Sequence, residues 1–407
     1  MKPEIKERID KIKRGEMPDG YKTSKIGVIP EDWDVKHLED ISNINPRKEV
    51  LDENDTVSFI SMSDVSDDAR LISYQPRLYK EVFKGFTSFR DGDVLVAKIT
   101  PCFENGKGAL VDNLINKTGF GSTEFHVLRS KKNGDELFIY YHTVTDRFRK
   151  IGEKNMTGTA GQKRISTDFV KGFLIPYPRN DIERKKIASI LSTWDKAIEL
   201  KEKLIEQKKQ QKKGLMQKLL TGEVRLPGVK REWKTIKLGD VAEIYQPKTI
   251  SQSELKKTGY PVYGANGLIG YYDKYNHETW QIMITCRGST CGSVNKTDGK
   301  AWITGNAMVV NVDKSPNIDK DFIYYLCLIQ NYKKIIGGSG QPQITKKPLE
   351  EFKIFIPLDI KEQKQIAKIL LFADKEINFL EKELAEIKQQ KKGLMQLLLT
   401  GKVRVKV

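Results

Sequence analysis

Apolar residues recur at steps of three and four along two stretches of this chain, from about Ile182 to Leu220 and from about Ile360 to Leu399. In the first they fall at Ile187, Ile190, Leu191, Trp194, Ile198 and Ile205, then at Leu215, Met216 and Leu219. In the second they fall at Ile366, Ile369, Leu370, Ala373, Ile377, Leu380, Leu384 and Ile387, then at Leu394, Met395 and Leu398. That spacing places them on one stripe of an α-helix. Neither stretch holds Gly or Pro apart from Gly214 and Gly393. Pro178 and Pro357 stand just ahead of the starts, and Gly222 and Gly401 stand where a C-terminal cap belongs. At ~1.5 Å per residue each is a rod of roughly 55–60 Å. A single stripe on so long a rod needs a partner, and the other rod is the obvious one. The reading is an antiparallel coiled coil packed through Ile187, Ile190, Leu191, Trp194, Ile198 and Ile205 of one rod and Ile366, Ile369, Leu370, Ile377 and Leu384 of the other. The Lys208–Lys213 run breaks the stripe and reads as a solvated face. Gly214 and Gly393 each cost about 1 kcal/mol relative to Ala in mid-helix, and read as points of close packing or of a bend.

Outside the rods the pattern changes to short apolar runs between Gly- and Asn-rich turns, the signature of short strands. Val94-Leu95-Val96-Ala97 and Gln281-Ile282-Met283-Ile284-Thr285 are two such runs, and Met308-Val309-Val310 is a third. Gly119-Phe120-Gly121 reads as a turn leading into a strand.

The rods also expose a duplication. Gln-Gln-Lys-Lys-Gly-Leu-Met-Gln occurs at Gln210–Gln217 and again at Gln389–Gln396, each time followed closely by Leu-Leu-Thr-Gly. Upstream, at the same offset, Gly161-Gln162 matches Gly340-Gln341, Ile165 matches Ile344, Phe173 matches Phe352 and Asp195-Lys196 matches Asp374-Lys375. Near the start of each half, Trp33, Leu38, Asp40 and Ile41 correspond to Trp233, Leu238, Asp240 and Val241. The interiors, from about Asn45 to Thr157 and from about Gln246 to Gly337, barely resemble each other. Internal repeats outrank other sequence signals, and here the frame repeats while the contents differ. The expected fold is therefore α+β. Two tandem, mostly β modules span residues 1–178 and 223–357. Each is followed by a long helical segment, at 179–222 and 358–407.

Charge turns this architecture towards a polyanion. Lys and Arg outnumber Asp and Glu by 71 to 54, a formal net charge of +17. Nucleic acid is a better match to that surplus than an anionic membrane. No stretch approaches the ~20 apolar residues of a membrane span, and the charged start Met1–Lys6 does not resemble a secretory signal. Cys102, Cys286, Cys291 and Cys327 are too few and too irregular for a disulfide framework. With His277 upstream, Cys286 and Cys291 still lack the second close pair of a zinc site. Reduced thiols in a cytoplasmic protein are the expectation.

Recognised catalytic motifs are missing from the sequence. The Gly-Lys pairs at Gly106, Gly299 and Gly401 lack the P-loop context. Asn45-Pro46 is followed by Arg47-Lys48 rather than by the Pro-aromatic pair of amino-methylating enzymes. Polar loops on the β scaffold are instead suited to reading base edges. In the first module the candidates are Lys98, Thr100, Asn105, Lys107, Ser122 and Thr123, with Gln162, Lys163 and Arg164 in the glycine-rich loop 158–164. In the second they are Arg287, Ser289, Thr290, Ser293 and Asn306, with Gln341 and Gln343 in the matching loop 337–343.

Two modules of unlike sequence, each followed by a helix ending in Lys-Lys-Gly-Leu-Met-Gln-x-Leu-Leu-Thr-Gly, resemble the specificity subunit of a type I restriction–modification system. The openings Ile29-Pro30-Glu31-Asp32-Trp33 and Gly228-Val229-Lys230-Arg231-Glu232-Trp233, and the run Lys98–Lys107, add to the resemblance. It implies a non-catalytic subunit whose two target recognition domains each read half of a bipartite double-stranded DNA sequence, with the coiled coil setting the gap. It also implies two methylation subunits carrying S-adenosylmethionine, which together with this chain make an adenine N6-methyltransferase. Two restriction subunits using ATP and Mg²⁺ complete the implied complex, and this chain itself holds no cofactor or metal. A specificity subunit of a related restriction system, a self-contained DNA-modifying enzyme and a coiled-coil scaffold without nucleic acid remain the alternatives.

Overall fold

The structure, a computed structural model, describes residues 3–159, 161–228, 232–338 and 340–406. Ala160, Ser339 and Val229–Arg231, which belong to motifs quoted above, lie outside the described residues. The chain forms two compact units, Met1–Leu200 with Leu384–Val407, and Lys201–Glu383. The two long helices run Asp181–Leu220 and Ile360–Leu398, close to the stretches that periodicity marks out. They do not stand apart as separate domains. Each is shared between the units, so that each unit holds the start of one helix and the end of the other.

In the first unit, a four-stranded antiparallel sheet runs in the order Ser42–Ile44, Phe125–Ser130, Val94–Ala97, Gly108–Leu110. A second four-stranded sheet has the order Gln75–Leu78, Thr56–Ile60, Thr118–Gly121, Thr87–Arg90, with one parallel pair in its middle. Strand Thr118–Gly121 is buried along its whole length, so Gly119-Phe120-Gly121 is a strand and not the turn expected from its glycines. The physical reason is crowding. A Cβ on Gly119 would lie 2.2 Å from the Phe89 ring, and one on Gly121 would lie 2.2 Å from the Ile60 carbonyl oxygen. Glycine inside a strand marks such close approaches.

The second unit repeats the first sheet strand for strand: Glu243–Tyr245, Ala307–Asn311, Ile282–Thr285, Val294–Lys296. Its other sheet differs, with three strands in the order Gly267–Tyr272, Tyr260–Gly264, Trp302–Ile303. Both units also carry an identical two-stranded clasp that holds the module to the start of its long helix. Trp33–His37 pairs with Leu174–Pro178, and Trp233–Lys237 pairs with Lys353–Pro357. The repeated frame and the unlike contents are thus visible in the backbone itself.

The helical stripes bury in two different ways. Ile187 and Leu191 are fully buried in the first unit's main core with Trp33, Phe138, Tyr141, Met395, Leu398 and Leu399, and Ile190 packs against it. Ile366 and Leu370 do the same in the second unit with Leu219, Leu220 and Phe322, joined by Ile369. The first turns of each stripe therefore face their own module as well as the end of the other helix. Farther along, Ile198, Ile205 and Ile377 are buried, and Trp194 and Leu384 are half-buried. Antiparallel pairing is explicit in the second unit. Lys201 meets Glu383 at 3.0 Å, Lys208 meets Glu376 at 2.6 Å and Lys212 meets Asp374 at 2.5 Å. The lysine-rich run is accordingly not a purely solvated face. Its cations reach across to acids on the facing helix. Gly214 and Gly393 stay helical and a Cβ at either would meet open space, so neither is a point of close packing.

Candidate nucleic-acid interface

The glycine-rich loop of the first unit is fastened to the segment that continues strand Val94–Ala97. Strand Val94–Ala97 continues into Lys98–Thr100, and this continuation pairs with residues 163–165. The Ile165 N–H donates to the Lys98 carbonyl at 3.0 Å, and the Thr100 N–H donates to that of Lys163 at 2.9 Å. Ile99 bridges Arg164, and Arg164 bridges Thr157. On the other side the Lys98 N–H donates to the Glu124 carbonyl at 2.7 Å. Three chain segments distant in sequence thus form one small platform.

The second unit builds the same platform bond for bond. The Ile344 N–H donates to the Cys286 carbonyl at 3.0 Å, and the Gly288 N–H to that of Pro342 at 3.1 Å. Arg287 bridges Gln343, and Gln343 bridges Gly337. The Cys286 N–H donates to the Asn306 carbonyl at 3.2 Å. Lys98, Ile99, Thr100, Glu124, Arg164 and Ile165 therefore stand where Cys286, Arg287, Gly288, Asn306, Gln343 and Ile344 stand.

Most of the sequence-derived candidates converge on these platforms. In the first unit Gln162, Lys163, Arg164 and Thr123 are exposed together, and Ser122 is half-buried. The Lys98 ammonium donates to the Thr123 carbonyl at 2.9 Å, and burial pulls its pKa below the ordinary lysine value. Arg164 is held by Glu124 through Nε at 3.0 Å and Nη2 at 2.9 Å. That contact raises its pKa and keeps it charged. Two candidates are occupied otherwise. Thr100 donates to Glu104 at 2.7 Å. Lys107 donates to the carbonyls of Met62 and Val65 at 3.1 and 2.7 Å, so it pins the 62–65 loop. Asn105 is exposed on the turn between them.

In the second unit Arg287, Ser289, Thr290, Ser293, Asn306 and Gln341 are all exposed, with Gln343 half-buried. Thr290 donates to Asn266 at 2.6 Å, which ties in the hairpin of Tyr260–Gly264 and Gly267–Tyr272 and its exposed Leu268 and Ile269. Glu124 and Asn266 are participants that sequence reasoning missed. Neither sits in a repeated motif, and only the sheet register brings them to the loops. His277, weighed against a metal role, instead hydrogen-bonds Tyr245 at 2.8 Å and Asn276 at 2.6 Å. No cluster of His, Cys, Asp and Glu suited to a metal ion occurs among the described residues.

A model of the type I restriction modification DNA specificity domain matches residues 30–210 and again 230–389. The chain belongs to that family. The EcoEI type I restriction enzyme specificity subunit of Escherichia coli is 37% identical over 183 residues, 44% of this chain but only 30% of that protein. The chain likewise spans about a third of the EcoAI specificity subunit, at 35% identity. The putative MjaX specificity subunit of Methanocaldococcus jannaschii matches nearly end to end, at 28% identity over 95% of this chain and 97% of its own. A crystal structure of the type I restriction–modification S subunit from M. genitalium shares the fold, with a TM-score of 0.61 at 19% identity. The match covers 94% of this chain and 99% of that one.

A second repeated constellation in this specificity-family chain ties each module to helix ends. In the first unit the buried Glu183 carboxylate accepts from Trp33 Nε1 at 3.1 Å and from Arg404 at 2.6 and 2.8 Å. In the second, Glu362 accepts from Trp233 Nε1 at 3.3 Å and from Arg225 at 2.7 and 2.9 Å. Asp195 accepts from Lys391 and Tyr141, just as Asp374 accepts from Lys212 and Tyr325. These charges have structural partners and are spoken for. No helix among the described residues is long and apolar enough to cross a membrane.

Proposed function

We propose that this chain is the DNA-reading component of a type I restriction–modification complex. Each module binds one half of a bipartite duplex target, and the paired helices set the unread gap. The observation that carries this reading is the twin platform: identical backbone hydrogen bonds, with Lys98, Glu124 and Arg164 in one module and Cys286, Asn306 and Gln343 in the other. A frame kept constant while its exposed polar side chains change is what reading two different half-sites requires. The formal charge of +17 supports phosphate contacts that position both modules.

The chemistry then lies with partners. Two methylation subunits would bring S-adenosylmethionine and transfer its methyl group to adenine N6. Two restriction subunits would use ATP and Mg²⁺ for translocation and cleavage. A place in the cytoplasm, beside the genome, fits such a complex. Its relatives are named as specificity subunits of type I restriction enzymes. One similar solved structure comes from work on complex assembly and conformational transition of the type I system, which supports a role within a larger assembly. Exchanging residues 45–157 for the corresponding segment of another family member tests the modular reading. One half of the recognised sequence is expected to change and the other to persist. Change in both halves, or in neither, would overturn it.

A further inference from the structure

The two platforms differ at a pair of equivalent positions, Glu124 and Arg164 in one and Asn306 and Gln343 in the other. At the first, Glu124 and Arg164 form a side-on ion pair. Nε donates to both carboxylate oxygens at 3.1 and 3.0 Å and Nη2 to one of them at 2.9 Å. Nη1 donates to the Gln162 carbonyl at 3.1 Å. A guanidinium has five N–H donors in a planar fork. Among the described residues three are engaged, which leaves one on Nη1 and one on Nη2. The side chain is nonetheless 45% exposed. A planar fork locked from behind, with a donor free on each terminal nitrogen, matches the two acceptors O6 and N7 of guanine in the major groove.

At the second platform the same two frame positions hold Asn306 and Gln343. Their side chains make no hydrogen bond among the described residues, although their backbones are fixed by the Cys286 and Gly337 bonds. A carboxamide presents one donor and one acceptor, the complement of adenine N6 and N7. No locking carboxylate is needed, because an uncharged amide has no counter-ion to hold it.

We propose that frame position 164/343 contacts a base in each half-site, reading guanine through Arg164 and adenine through Gln343, with Glu124 as the positioning residue for Arg164. This rests on the DNA-reading assignment above and sharpens it to one base pair in each half. The pair explains why a carboxylate, unfavourable beside a phosphate backbone, sits against Arg164. Its charge is directed at the guanidinium and sets that side chain's plane.

The test uses the full chain, affinity-tagged and recovered with whatever it assembles with in its own cells, on a pool of duplexes with randomised sequence. Enriched sequences are read for the unaltered chain and for Arg164→Gln, Glu124→Gln and Gln343→Arg. The unaltered chain is expected to enrich a two-part motif. Arg164→Gln is expected to cut the preference for guanine by about 5- to 150-fold at one position of one part, leaving the other part intact. Gln343→Arg should move one adenine towards guanine in the other part only. Glu124→Gln should weaken the same guanine that Arg164→Gln affects while the melting temperature stays unchanged, a result that a purely structural role would not give. If the unaltered chain enriches a two-part motif and the variants shift no single position, this base assignment is wrong while the DNA-reading function stands. If the unaltered chain enriches nothing, the DNA-reading function itself fails.

Discussion

Replacing Arg184 with Gln isolates what fastens the first module to its long helix. Arg184 and Asp135 are both 1% exposed and lie 2.9 Å apart. The guanidinium also donates to the Pro178 carbonyl at 2.6 Å and to Asp181 at 2.6 Å. It packs over the Tyr177 ring, whose hydroxyl donates to Asp135 at 2.7 Å. Removing one partner of a buried ion pair costs about 3–5 kcal/mol, because the other charge is left without compensation. Asp135 keeps the Tyr177 hydroxyl, so the lower half of that range is expected. The second module shows the neutral alternative at the matching position. Gln363, likewise buried, donates to the Pro357 carbonyl at 2.9 Å and accepts from the Asp319 N–H at 2.8 Å. The double variant Asp135→Asn/Arg184→Gln should therefore recover most of the loss. Thermal unfolding of the full chain provides the assay, with the second unit's transition as internal reference. For a unit of this size each kcal/mol moves Tm by about 2–4 °C, so the single variant should lower the first transition by on the order of 10 °C. A loss below ~1 kcal/mol, or a double variant no better than the single one, would refute the reasoning.

Acid should weaken the first unit through buried histidines. Burial pushes His126 down to about 4 and His142 down to about 3. Both pKa values are depressed on folding, so their neutral forms stabilise the fold above pH ~6.5. That stability drains as pH falls towards 4, His126 alone accounting for on the order of 3 kcal/mol. Chemical denaturation across that window should show the loss, and His126→Gln should flatten part of it. Cognate-duplex affinity of the assembled chain, titrated against salt, should fall with a log–log slope of about 0.9 per neutralised phosphate, whereas a flat profile would speak against backbone contacts. A half-chain of residues 1–228 should form a homodimer on light scattering. Its Lys212, Leu219, Leu220 and Arg225 repeat the Lys391, Leu398, Leu399 and Arg404 that complete the first unit, and a strict monomer would show that repetition to be insufficient.

What was legible in the sequence followed from physics local to the chain. Helical periodicity and the duplicated Gln210–Gln217 string gave both long helices to within a residue or two at their ends, because a stripe at 3.6-residue spacing is a local signal. The recurring Gly-Gln loops marked segments whose backbone pairing repeats in both units, because the same short bridge recurs at Thr157/Arg164 and at Gly337/Gln343. Contacts between distant segments were invisible. Glu124 reaches Arg164 only through sheet register, and Glu183 meets Arg404 only because the chain's end folds back on its first module. Partial clues did exist there, as Glu183 and Arg404 recur as Glu362 and Arg225. Gly119-Phe120-Gly121 misled because glycine more often marks turns. Here it marks a strand pressed against Phe89 and the Ile60 backbone. The lysine run misled for a similar reason, since its acids lie on the facing helix.

Genome-wide mapping of N6-methyladenine, in cells with and without this chain, tests the two-headed reader most directly. One motif is expected in two specified parts separated by a fixed run of unspecified bases, present with the chain and gone without it. A motif that persists in its absence, or one without an interior gap, would contradict the account.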